Sequence, residues 1–101
     1  MTARERLANR RGHALLDFEH AGQRYTAGVG CFVDGRPAEL FLTSSKVGTA
    51  NDVNARDAAI LLSLALQFGC PLDTARGAIS RNENGSPAGP IGAVLDILAR
   101  D

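Results

Sequence analysis

The 101-residue sequence predicts an α+β domain, a three-stranded antiparallel β-meander over about 14–43 packed against two to three helices, about 50–68, 71–80 and 90–100. Three observations predict it. Residues 14–43 alternate apolar and polar side chains between short turn signals, the period of a half-buried strand. Residues 50–68 form a long apolar stretch with a helical start and stop. Ile91, Val94, Leu95 and Leu98 then recur at i, i+3, i+4 and i+7, one apolar stripe on a helix.

In the first strand Ala14, Leu16 and Phe18 alternate with Leu15, Asp17 and Glu19, and Ala21-Gly22-Gln23 supplies a turn. The second strand is expected from Arg24 to Val33, with Tyr25, Ala27, Val29, Cys31 and Val33 on one face. Asp34-Gly35 is the strongest turn signal in the chain. The third strand is expected from Ala38 to Thr43, with Leu40 and Leu42 on its inner face. Turns this short join neighbouring strands in antiparallel order. Gly28 and Gly30 leave one face of the second strand bare, which predicts a helix or partner strand packed there.

Thr49 with Asp52 three residues on resembles a capping box, which opens the first helix. From Ala58 to Phe68 this helix is apolar almost all round, which predicts burial on more than one side. Gly69 stops it, with Pro71 beyond. Residues 81–90 read as a polar loop turning at Asn84-Gly85, and Pro90 suits the first turn of the last helix. The all-round apolar helix and two open sheet edges together predict a homodimer.

Formal net charge is zero, which argues against a dedicated nucleic-acid binder. Arg4, Arg6, Arg10 and Arg11 against Glu5 leave the first twelve residues at +3, so residues 1–12 read as a flexible basic tail before a single domain over 13–101. Two widely spaced cysteines, Cys31 and Cys70, in no metal-ligand pattern point to a reducing cytoplasm, and no metal or cofactor is expected. The run Ala58–Phe68 is too short to span a bilayer and is broken by Ser63 and Gln67, and no apolar signal-peptide core follows the N-terminal arginines.

Among residues able to carry chemistry, the junction between third strand and first helix stands out. Ser44, Ser45 and Thr49 bring hydroxyls, Lys46 a cation, and Gly48 a turn, at a place where backbone N–H groups converge on a helix N-terminus. That chemistry suits a phosphate or carboxylate, although the order is not that of a P-loop, since Lys46 precedes Gly48. Arg56 either pairs with Asp52 one turn earlier or reaches back to this corner. Asp17 and Glu19 share the outer face of the first strand without a nucleophile or metal triad, and Cys70 sits at a helix junction without a paired base. No residue is therefore assigned a catalytic role, and the alternative of a small thiol or carboxylate enzyme rests on Cys70 or the Asp17/Glu19 pair.

The order of short motifs resembles the TSCPD domain. They are Asp34-Gly35-Arg36-Pro37-Ala38-Glu39-Leu40-Phe41-Leu42, Ser45-Lys46-Val47-Gly48, Ala55-Arg56-Asp57-Ala58, Gly69-Cys70-Pro71-Leu72 and Gly89-Pro90-Ile91-Gly92. That family occurs as a C-terminal module of adenosylcobalamin-dependent ribonucleotide reductases and as small stand-alone proteins. The resemblance implies an accessory or interaction module, with a reductase large subunit or a second copy as partner; a phosphate-bearing ligand at 43–49 is the alternative. The Thr-Ser-Cys-Pro-Asp stretch that names the family reads Pro87-Ala88-Gly89-Pro90-Ile91 here, so its cysteine and aspartate are missing. No reductase catalytic residue carries over.

Overall fold

A computed structural model describes residues 3–7 and 13–100. Its elements run β1 (His13–His20), β2 (Gln23–Cys31), β3 (Pro37–Ser44), α1 (Ala50–Gln67), α2 (Leu72–Ala78) and α3 (Pro90–Arg100). The strands form one antiparallel sheet in the order β1-β2-β3, so the α+β meander-and-helices class is the observed one. Of the basic segment expected over 1–12, residues 1, 2 and 8–12 lie outside the described residues, Arg10 and Arg11 among them.

The β1–β2 hairpin closes through Ala21 and Gly22, both at positive φ (51° and 78°), the backbone hand that a two-residue hairpin loop requires. Its register pairs Ala14 with Val29, Leu16 with Ala27 and Phe18 with Tyr25 on the inner face. Phe18 and Tyr25 stack at 5.5 Å between ring centroids. At the other end of β2 the register shifts between Gly30 and Cys31, because Ala38 inserts as a bulge in β3. The period-two pattern stops there. Phe32 is buried in place of Val33, which is 91% exposed, so the expected inner-face position of Val33 is corrected.

Gly28 and Gly30 are filled from within the sheet. A methyl group at Gly28 would lie 3.3 Å from the His13 ring, and one at Gly30 would overlap the Glu39 carboxylate at 2.5 Å. Side chains of β1 and β3 thus lean across the bare face that was expected to receive another element.

Helix α1 lies against β3 and buries Ala55, Ala59, Leu62 and Leu66 on Val29, Leu40 and Leu42. Gly69 at φ 100° ends it, with Gly69 and Cys70 N–H groups bonded back to Leu66 and Ala65. Helix α3 buries Val94 and Leu95 completely, with Ile91 and Leu98 packed at the margin. Val53, Ile60, Leu61 and Phe68 stay exposed, so α1 buries one stripe rather than the several sides its composition predicts.

The polar side of α1 does something further. Ser63 Oγ accepts from the Leu40 N–H (2.8 Å) and shares its own proton between the Leu40 and Ala59 carbonyls (3.1 and 2.8 Å). Gln67, also buried, donates to the Ala38 carbonyl at 3.0 Å. These are backbone groups on the free edge of β3, so α1 closes that edge. Gln67 in turn receives the Arg4 guanidinium at 2.6 Å, and its carbonyl accepts from the Glu5 N–H at 2.7 Å.

Leu42 is 1% exposed at the centre of the sheet–α1 contact. Leu42→Ala is expected to destabilise by about 2–5 kcal/mol through lost burial and the cavity left behind. Val33→Ala is expected to stay within about 0.5 kcal/mol. Urea unfolding of the two variants checks the contrast.

Candidate functional site

The strand-to-helix junction brings Ser44, Ser45, Lys46, Gly48, Thr49 and Arg56 to one corner around a residue of the protein itself. Asp52, wholly buried, accepts from the Ser44 N–H at 2.9 Å, the Gly48 N–H at 3.0 Å and Arg56 Nη2 at 2.9 Å. Backbone donors turned toward an anion at a helix start are an anion cradle. Here Asp52 is the anion.

Local sequence explains the geometry. Gly48 takes φ 82°, which a side chain would strain, and this aims its N–H back at Asp52. Thr49 caps α1 by accepting from the Asp52 N–H at 3.3 Å, and its hydroxyl donates to the Lys46 carbonyl at 2.8 Å. Only half of the expected capping box forms, because the Asp52 carboxylate serves Ser44 and Gly48 instead of Thr49. Ser44 Oγ receives the Lys46 N–H at 3.1 Å and the Gln23 side-chain amide, and Gln23 accepts from Asn51 at 3.2 Å. Arg56 takes the pairing alternative.

The Gly48 and Ser44 N–H bonds, with the Arg56 charge added, hold the Asp52 carboxyl below its ordinary value of 3.8, burial opposing them. What remains outward at the corner is Ser45, Lys46 and Thr49, all exposed.

The other chemistry-bearing residues stay apart. Asp17 accepts from the Thr26 hydroxyl at 2.6 Å and Glu19 stands across from Arg24, both on the outer sheet face. His20 Nε2 donates to the Pro87 carbonyl at 3.0 Å, and His13 lies 6.4 Å from the Phe41 ring on the opposite face. Cys31 and Cys70 are free thiols, and the Cys70 Sγ lies 3.5 Å from the Pro71 carbonyl. No group of three metal-ligating side chains comes together among the described residues. No helix among them is long and apolar enough to cross a membrane.

Two clusters carry order that sequence reasoning missed. One is the set Asp52, Ser63 and Gln67 along β3, whose signal was polar residues on the otherwise apolar inner stripe of α1. The other is Asp96, which accepts from Arg81 (2.6 and 3.0 Å) and Arg76 (2.8 Å) and lies well below the usual carboxylate range for that reason. It ties α2 and the 81–87 turn to α3, and nothing in local spacing announces a contact fifteen to twenty residues distant. Pro90 and Ile91 at the start of α3 line a shallow apolar crevice with Tyr25, Asn51 and Ala55.

Comparison with known proteins gives a consistent direction. Over 70 residues the chain is 37% identical to the vitamin B12-dependent ribonucleotide reductase of Rhodopirellula baltica, a match covering 69% of this chain and 7% of that protein. The enzyme of the same name from Agrobacterium fabrum is 37% identical over 70 residues, 69% of this chain and 6% of its own length. That of Bradyrhizobium diazoefficiens is 33% identical over 91 residues, 90% of this chain and 7% of its length. The chain therefore matches less than a tenth of each curated relative and is related to a small segment of these reductases. No family model matches it, and no solved structure matches it significantly.

The lowered pKa of Asp52 fixes the sign of a pH effect. Its stabilising contribution is complete above the ordinary value of 3.8 and is lost as pH falls through its lower folded value. Asp52→Asn, which removes the charge and one acceptor oxygen, is expected to lower the melting temperature at neutral pH and to flatten the acid limb of the stability profile. Part of that limb remains, because Asp96 contributes with the same sign. Thermal melts from about pH 2 to 7 check both effects.

Proposed function

We propose that the chain is a non-catalytic accessory module of the TSCPD type, linked to ribonucleotide reduction, that works by docking to a reductase large subunit or to itself. The observation that carries this reading is its likeness to a segment amounting to at most 7% of three vitamin B12-dependent ribonucleotide reductases. A segment of that size leaves the bulk of a reductase to do the chemistry. Exposed Ile60, Leu61 and Phe68 on α1 supply apolar area for a partner.

The test is direct binding of the purified chain to the B12-dependent ribonucleotide reductase of its own organism, by interferometry. A saturable complex at low and moderate salt is expected. No complex at either salt concentration overturns the docking reading.

A phosphate-bearing ligand at 43–49 is the second reading, supported by exposed Ser45, Lys46 and Thr49 beside the positive end of α1. It ranks below docking because the Ser44 and Gly48 amides already serve Asp52. If it holds, a nucleotide or phosphate panel gives saturable stabilisation of about 2.7 kcal/mol at a hundredfold excess over the dissociation constant. Lys46→Ala abolishes that shift. A flat thermal-shift panel removes this reading.

A further inference from the structure

We propose that the crevice between the first two turns of α1 and the start of α3 is a binding site for an uncharged, single-ring cyclic amide of pyrimidine size. It uses none of Ser45, Lys46 and Thr49 and none of the exposed Ile60, Leu61 and Phe68. It therefore stands or falls independently of both the docking and the phosphate readings.

The anchor is Tyr25. Its ring stacks on Phe18 at 5.5 Å, and only 5% of the residue is exposed. A buried tyrosine hydroxyl ordinarily finds a hydrogen-bond partner. This one has none among the described residues. No described side-chain oxygen is both sealed from solvent and unpaired, so the Tyr25 hydroxyl reaches open space. The space that Tyr25 borders is this crevice. A hydroxyl carried on a buried, stacked ring and left open to a cleft is a fixed point for a ligand's acceptor.

Size and lining select the class of ligand. The walls are apolar, built from Ala55, Ala58, Pro90 and Ile91. They enclose about 130 Å³, against the roughly 150 Å³ of an apolar cavity that takes up one benzene. One ring fits. Asn51 and Asn54 add side-chain amides. Asn51 gives its NH₂ group to Gln23 and keeps its carbonyl oxygen, and Asn54 makes no hydrogen bond with a described residue. An amide offers a donor and an acceptor side by side, which match a flat edge carrying the same pair in reverse. Among the described residues no charged side chain lines the crevice, so a charged ring would lose hydration without gaining a counter-charge. The positive end of α1 is already answered by Asp52 in its first turn. A neutral N–H and C=O edge on a six-membered ring meets all of these conditions.

NMR titration of the isotope-labelled chain tests the site, with 2-pyridone and uracil as probes and benzene and benzoate as single-ring controls. The two probes are expected to shift the backbone amides of Tyr25, Asn54, Ala55 and Ile91 saturably, with dissociation constants of about 1 mM, ordinary for so few atoms. Tyr25→Phe keeps the ring and removes only the hydroxyl. It is expected to weaken both probes by about two- to tenfold, the loss of one hydrogen bond, and to leave benzene unchanged. Ala58→Leu fills the crevice and is expected to abolish every shift, which keeps the test decisive should Tyr25→Phe disturb the fold. Lys46→Ala is expected to change nothing, which separates this site from a phosphate site at 43–49. The absence of saturable shifts, binding of benzene or benzoate as tight as that of 2-pyridone, or shifts that survive both crevice substitutions overturns the proposal.

Discussion

Three polar side chains of α1, those of Asp52, Ser63 and Gln67, hold outward backbone groups of β3 at Ser44, Leu40 and Ala38, and the rest of the molecule is arranged around that seam. A buried peptide group left without a partner costs about 1–3 kcal/mol. An edge strand covered by a helix therefore needs donors and acceptors from the helix as well as apolar area. Ser63 and Gln67 lie four residues apart, one helical turn, and Asp52 lies eleven residues before Ser63, about three turns. Their spacing sets α1 parallel to the edge and in register with alternate residues of β3. Ala55, Ala59, Leu62 and Leu66 then fall onto Val29, Leu40 and Leu42.

The seam also explains the corner where the strand ends. Asp52 faces the Ser44 amide because it belongs to the same edge-closing row, and Gly48 turns the intervening loop so that a second amide reaches the same carboxylate. What looks from residue types like a cradle for a foreign anion is first a structural device. It locks the start of α1 to the end of β3 through one buried charge and its Arg56 partner.

Much of the fold was legible in the residues. Alternation in Ala14–Phe18 and Tyr25–Val29, the turns at Ala21-Gly22 and Asp34-Gly35, and Gly69 as a stop all have local causes, so local reasoning finds them. The misreadings share a different origin. Val33 was placed inward because the bulge at Ala38 is invisible in a period-two count. The outer faces of α1 were read as buried because composition cannot tell a second packed layer from an exposed apolar surface. At the corner the donors were legible, while the acceptor was hidden: Asp52 looked like a cap and served Ser44, eight residues away, instead. Likewise Ser63 and Gln67 read as interruptions of an apolar run, since only the position of β3 gives them a purpose.

Closing one edge of a sheet has a consequence for how the protein can aggregate. A three-stranded sheet with both edges free can add strands at each side, and such growth propagates into fibres. With α1 sealing β3, the sheet has a pairing valence of one. Whatever strand it accepts, it then has no second side to offer. Growth by strand addition terminates after one step, which protects a small, apolar-rich domain from polymerisation.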